Sequence, residues 1–380
     1  MSVKPKISVI IPVHNAERFL ENCLDTVKNQ TFKDFEVICI NDCSTDSSLD
    51  ILNKYAKDDS RFKIFTNEKS LMAGGSRNKG LTLASGEYIH FLDADDWIDE
   101  RLYEKSYRKI LKNKLELLIF DVVSYDDVSM ITQDFEFINL SPFKEYNPEL
   151  MDKTFSNRDF LEVMFKLCLA PWNKIYKKDF LDKHKINFPE GRWYEDMLFF
   201  FLVWLKADKV STLDEKMLTY RMNISTSMIG SKDRKYFDFF ANYNDIEKTL
   251  KQNGVFEKIK YKFYAFKYCG LYHWHSSINE DLKDEFMQKT YEDIESNNFS
   301  IDELINIMNN MQYGTEAIRK IYISKLTISK KIQDFFFRIE VREKQTKFKV
   351  LGFSIFKKQI KEGITRAYVL GIKVGKKKNG

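Results

Sequence analysis

Three clusters of side chains in this sequence have the types and spacing to do chemistry. Asp93-Ala94-Asp95-Asp96 gathers carboxylates within one turn. Hard divalent cations such as Mg²⁺ or Mn²⁺ prefer oxygen ligands, and one or two carboxylates suffice where a diphosphate supplies the rest. The structural alternative is an acidic turn that favours the N-terminal dipole of the helix after it. In Asn41-Asp42-Cys43-Ser44-Thr45-Asp46, Asp42 can accept hydrogen bonds from a base or a ribose, whereas Asp46 is better placed to cap the next helix. Gly74-Gly75-Ser76-Arg77-Asn78-Lys79-Gly80 combines glycines with two cations, which suits a phosphate-bearing ligand near a helix start. It is neither a Walker A loop nor a GxGxxG fingerprint, and a surface turn explains it as well.

These clusters need elements to bring them together, and the first 125 residues supply an alternating pattern. Ile7–Val13 (ISVIIPV) is a continuous β-branched run of the kind buried on both faces of a parallel sheet. Phe19, Leu20, Cys23, Leu24 and Val27 then recur at helical spacing. Strands are predicted at 35–40, 62–65, 88–92 and 116–123, with helices to about Lys57, over 74–84 and over 101–112. Such alternation implies right-handed crossovers and a mostly parallel sheet of the α/β class. Ligands of these sheets sit at the carboxyl ends of the strands. His14 and Asn15, then Asp42, then Asp93, Asp95 and Asp96 all fall at such ends.

The remainder of the chain is of other kinds. At 380 residues it is long enough for two domains or for one with a large appendage. Residues 126–225 carry an irregular stretch and then aromatic-rich motifs, Pro171-Trp172-Asn173-Lys174 and Trp193-Tyr194-Glu195-Asp196. Residues 226–340 read as a helical extension. The net charge of +5 is too small to suggest a nucleic-acid binder, yet residues 341–380 hold 12 Lys/Arg against 2 Glu. Within that basic tail, Thr346-KFKVLGFSIFKK and Thr365-RAYVLGIKVGKK match at an offset of 19, a two-copy strand–Gly–strand repeat. A module of this composition either binds an anionic membrane surface or packs as a small β-unit. Five cysteines without CxxC spacing suggest reduced thiols in the cytoplasm. No leader is expected, because His14 and Asn15 close the short apolar run without a cleavage site. The longest apolar block, Met197 to Leu205, falls well short of the ~20 residues a membrane span requires.

Taken in order, ISVIIPVHN (7–15), NDCSTD (41–46), GSRNKG (75–80) and GEYIHFLDADD (86–96) resemble family-2 glycosyltransferases of the GT-A fold. The likeness is close over about residues 6–125 and looser to about 225. It implies a GT-A domain over 1–225, with a nucleotide-binding half (1–125) and an acceptor half (126–225). By position, Pro12, His14 and Glu17 would line the nucleotide pocket and Asp42 would contact uracil or ribose. Arg77 would lie near the base or diphosphate, Asp93 near ribose and metal, and Asp95 would be the main ligand of Mn²⁺ or Mg²⁺. The Glu195-Asp196 pair matches the family's acidic segment, with Asp196 as the catalytic base and Glu195 toward acceptor or metal; an N-capping pair is the plainer alternative. Trp172 would stack on an acceptor sugar or else sit in the core.

The resemblance further implies an inverting, metal-dependent enzyme. It would move a sugar from a nucleotide-sugar donor, a UDP-hexose or UDP-N-acetylhexosamine, to a hydroxyl of a growing bacterial surface glycan, such as a lipooligosaccharide, a capsule or another lipid-linked glycan. Its expected place is the cytoplasm, with residues 342–380 able to hold it peripherally on the inner face of the cytoplasmic membrane. The competing readings are a non-catalytic glycan-binding or scaffold protein on the same fold and a nucleotidyltransferase. The glycine-rich N-terminal signature usual for a nucleotidyltransferase is missing.

Overall fold

The structure is a computed structural model that describes residues 4–134, 138–146, 148–223 and 232–311, together with the backbone of five strands between Arg338 and Lys378. Its N-terminal part alternates as the sequence pattern requires: β1 (Ile7–Val13), α1 (Leu20–Lys28), β2 (Phe35–Asn41), α2 (Ser48–Asp58), β3 (Phe62–Thr66), α3 (Met72–Leu83) and β4 (Tyr88–Phe91). All of β2 and all of β1 except Pro12 are buried, the burden of a strand covered by helices on both faces. These four strands pair in parallel in the order β3-β2-β1-β4. Helix α3 lies so close to the sheet that a Cβ on Gly80 would come 2.3 Å from Ile10 Cγ2. Glycine is the residue that allows this approach.

The second half of the sheet is mixed. After β5 (Trp97–Ile98), α4 (Leu102–Asn113), β6 (Leu117–Asp126), β7 (Ile131–Gln133) and α5 (Ser141–Tyr146) come β8 (Lys174–Lys177), α6 (Lys178–His184), α7 (Glu195–Trp204) and β9 (Val210–Met222). Strand β8 inserts antiparallel between β4 and β6, β9 runs parallel to β6, and β5 closes the order antiparallel to β9. The Lys-Ile-Tyr-Lys sequence of β8 gives no apolar alternation to announce a central strand. It is tolerated because Lys174, 1% exposed, donates from Nζ to the Cys168 and Ala170 carbonyls (both 2.7 Å) and to Asn173 Oδ1 (2.6 Å). Burial lowers the Lys174 pKa to about 8.

Beyond β9 the chain continues as α8 (Asp238–Gln252), α9 (Phe256–Ser277), α10 (Glu280–Ser296) and α11 (Ile301–Asn310). It forms two compact units. One extends through Phe263 and takes in Ser277–Leu282; the other comprises Tyr264–Ser276 and the chain from Lys283 onward. Within the expected helical extension, α8 packs with α7 in the first unit. In the second unit, β10 (Arg338–Arg342), β11 (Gln345–Val350), β12 (Phe353–Lys361), β13 (Ile364–Val369) and β14 (Ile372–Lys378) form an antiparallel meander. Each copy of the sequence repeat is one hairpin of this sheet. The pairing register shifts at Phe348/Lys349 in the first copy and at Ala367/Tyr368 in the second, again 19 residues apart. No described helix is long and apolar enough to cross a membrane.

Candidate active site

The loops after β1 and β2 are bound to each other. His14 Nδ1 donates to the Asp42 carbonyl (2.7 Å), which leaves Nε2 as an acceptor for Asn15 Nδ2 (3.3 Å). Asp46 accepts from the Ser48 and Glu17 N–H groups (both 3.0 Å), and Glu17 Oε2 accepts from the Ser47 N–H (2.9 Å). Asp46 therefore serves the start of α2, and Glu17 shares that task rather than standing free in a pocket. Pro12 is half-buried at the end of β1, and His14 is exposed.

The Asp42 carboxylate is buried and already oriented. Its Oδ1 accepts from Asn67 Nδ2 (2.7 Å) and the Leu71 N–H (2.8 Å), and its Oδ2 accepts from Ser70 Oγ (2.7 Å). Burial works to raise its pKa, but these donors prevail and hold it below the usual carboxylate value. An ionised acceptor is thus fixed at the end of β2, with capacity left on Oδ2 for a ligand N–H or O–H.

The acidic turn after β4 carries more negative charge than its protein neighbours balance. Burial and the nearby Asp93 push Asp95 up to about 6. Burial, then Asp95 and Asp93, push Asp96 well above its ordinary value. Asp96 Oδ1 accepts from the Arg221 N–H (2.9 Å), whereas its buried Oδ2 finds no partner among the described residues. Arg221 Nε donates to the Asp95 carbonyl (3.0 Å) and Nη1 to Asp127 (2.7 Å), while the guanidinium lies over Phe19, Trp97 and Tyr125. Hard oxygens crowded in this way suit a divalent cation, so the residues fit the expected metal. Among the described residues no three metal-ligating side chains converge, so such an ion would need further oxygens from its substrate.

Arg77, expected near the base or diphosphate, pairs with two carboxylates. It is 4% exposed on α3, and its guanidinium lies over the Phe188 ring. Nη2 donates to Asp93 Oδ1 (2.7 Å) and Nη1 to Glu195 Oε1 (2.5 Å). The buried cation thus joins the acidic turn to the first residue of α7. Glu195, expected toward acceptor or metal, pairs through Oε1 with Arg77. Asp196, next in the first turn of α7, is half-buried; burial and the Glu195 charge, opposed by Arg77, push it up to about 7.

Trp172 takes the core alternative. It is 4% exposed and stacks on Tyr220 at a centroid distance of 5.2 Å, which leaves no face for a sugar. Its carbonyl accepts from His90 Nε2 (2.8 Å), and His90 Nδ1 accepts from the Tyr103 hydroxyl (3.0 Å). Burial lowers the His90 pKa to about 4, so the ring is neutral.

Two residues that hold site groups, Asn67 against Asp42 and Arg221 against the turn after β4, carry no signal in the sequence that singles them out.

A mixed, mostly parallel sheet flanked by helices, with an acidic turn at a strand end, is the architecture of the GT-A fold class. Residues 8–184 match the model of Glycosyl transferase family 2, and over that segment the chain belongs to this family; it is a glycosyltransferase. It is 29% identical to EpsH of Bacillus subtilis over 73% of this chain and 80% of that protein. It is also 30% identical to the poly(ribitol-phosphate) beta-glucosyltransferase of Bacillus spizizenii over 68% of this chain, which spans only 39% of that longer protein. The structure of residues 1–349 of Staphylococcus aureus TarS in complex with UDP-GlcNAc shares the fold, with a TM-score of 0.63 at 18% identity, over 91% of this chain and 97% of that one.

Proposed function

We propose that the protein is an inverting, metal-dependent glycosyltransferase that uses a UDP-sugar and extends a bacterial surface glycan. The observation that carries this reading is the Arg77 bridge, which holds the acidic turn after β4 and the N-terminus of α7 on one buried guanidinium. Asp42 receives a donor of the base or ribose. Asp95 and Asp93 would hold Mn²⁺ or Mg²⁺, which when bound offsets charge on the diphosphate. Asp196, pushed up to about 7, takes the proton of the acceptor hydroxyl. The hydroxyl oxygen bonds to the anomeric carbon, the bond from that carbon to the diphosphate oxygen breaks, and UDP leaves. One displacement inverts the anomeric centre.

The UDP choice is supported by the UDP-GlcNAc named for the TarS structure, and the surface-glycan acceptor by the poly(ribitol-phosphate) of the Bacillus spizizenii relative. The excess charge of residues 341–380 supports attachment to an anionic membrane, where each basic residue contributes about 1 kcal/mol. Deleting 342–380 without loss of binding to phosphatidylglycerol vesicles would remove that element alone.

The test is thermal unfolding with UDP, with and without Mn²⁺, on wild type and Asp95→Ala. A nucleotide at 100 times its Kd stabilises by about 2.7 kcal/mol. We expect a Mn²⁺-dependent UDP shift that disappears in the variant; a shift indifferent to both metal and Asp95 sinks the metal assignment.

A further inference from the structure

The segment leading into α7 is gripped by side-chain amides from two different helices. On α3, Asn78 Nδ2 donates to the Phe188 carbonyl (2.9 Å) while its Oδ1 accepts from the Phe188 N–H (2.9 Å), so one side chain satisfies both backbone groups of that residue. Asn78 Nδ2 also reaches Glu190 Oε1 (2.9 Å). On α8, the fully buried Asn242 Nδ2 donates to the Trp193 carbonyl (2.9 Å) and the Tyr194 carbonyl (3.2 Å). Its Oδ1 is buried without a partner among the described residues. An unmet buried acceptor is costly, so the amide is oriented by what its nitrogen holds.

What it holds is strained. Tyr194 sits at φ 60° in the left-handed region, where a bulky L-residue is an outlier, and it immediately precedes Glu195 and Asp196. Its ring stacks on Phe239 of α8 at a centroid distance of 4.0 Å. Nearby on α3, a Cβ on Gly74 would meet the Pro189 carbonyl oxygen at 2.7 Å and Glu195 Cγ at 2.9 Å, so the helix backbone lies directly against the segment.

We propose that Asn78 and Asn242 are positioning residues that set the place of Asp196 from two different helices. On this view α8, distant in sequence, completes the active site. The inference rests on Asp196 acting as the base. A carboxylate at a helix N-terminus is aimed by the last residues before the helix, and here those residues are held by these two amides. Misplacing a catalytic group by about 1 Å can lower turnover on the order of 100-fold while leaving donor affinity alone.

The experiment measures hydrolysis of UDP-GlcNAc and UDP-glucose, together with hydrogen exchange of the amides from Phe188 to Asp196, in wild type, Asn78→Ala, Asn242→Ala and Asp196→Asn. We expect each Asn variant to lower kcat on the order of 10- to 100-fold with donor KM unchanged. Exchange should accelerate in the 188–196 segment and not in β1–β4. A destabilised fold would instead change KM, Tm and exchange everywhere. Asn78 is half-buried and Asn242 fully buried, so Asn78→Ala is the milder change and carries the test if Asn242→Ala does not fold. Normal kcat, or unchanged exchange over 188–196, in Asn78→Ala overturns the positioning role while a large loss in Asp196→Asn upholds the base. Full activity of Asp196→Asn removes the base and this inference with it.

Discussion

The two halves of the proposed active site are built by different means. In the donor half, Asp42 follows a strand and is held by residues close in sequence: Asn67 and Asp42, which share a hydrogen bond, are 25 positions apart. In the half that carries Asp196, the links are long: Arg77 and Glu195 are 118 positions apart, and α8 supplies the amide at Asn242. A parallel sheet brings strand ends together by its own topology, so Asp42 needs only short connections, while Arg221 of the mixed half reaches back to the turn after β4. No such rule places a helix N-terminus beyond the sheet, and buried charge and amide contacts do so instead. The lesson is that the donor half should tolerate damage to the helical region, whereas the base should not.

The largest expected effect is at Asp196. Asp196→Asn should lower turnover about 10²–10⁴-fold with UDP affinity unchanged, measured by kinetics and by titration calorimetry. Loss of UDP binding in that variant would place Asp196 in the donor half and erase the distinction. The pH profile sharpens the same point. A base must be deprotonated, so kcat should fall about tenfold per unit as pH drops below about 7. An acid limb near the ordinary carboxylate value would contradict a base in this environment.

Next come packing effects. Trp172→Ala should cost about 3–5 kcal/mol of stability, because it empties a core site against Tyr220. A Trp that served an acceptor sugar would leave the unfolding midpoint in denaturant nearly unmoved. Gly74→Ala should cost about 1–3 kcal/mol and lower kcat more than UDP affinity, since the added methyl meets the Pro189 carbonyl and Glu195, both on the base side.

His90 gives a smaller effect with a defined sign. Its folded pKa, about 4, lies below its unfolded value, so the stability it contributes is present above about 6.5 and is lost as pH falls toward 4. The slope is at most about 1.4 kcal/mol per pH unit, and it should flatten in His90→Gln. Carboxylates held low, such as Glu36 at about 2, begin to lose their contribution only below about 4.5, at the acid end of this window. The smallest effect is at the exposed Lys54–Glu21 pair, where Lys54→Ala should leave both stability and activity unchanged within error.

The sequence by itself determined the alternating N-terminal elements, the placement of His14, Asp42, Asp93 and Asp95 at strand ends, and the 19-residue repeat that becomes two hairpins. These features depend on local periodicity and on turn residues, which a single chain displays openly. Only the tertiary structure decided that Arg77 pairs with Asp93 and Glu195, that Trp172 is core, and that α8 packs with α7 in the first unit. A charged side chain reads the same in sequence whether it meets solvent, a ligand or a buried partner. The choice is made by the desolvation of that charge and the distance to its counter-charge, and both exist only once the chain has folded.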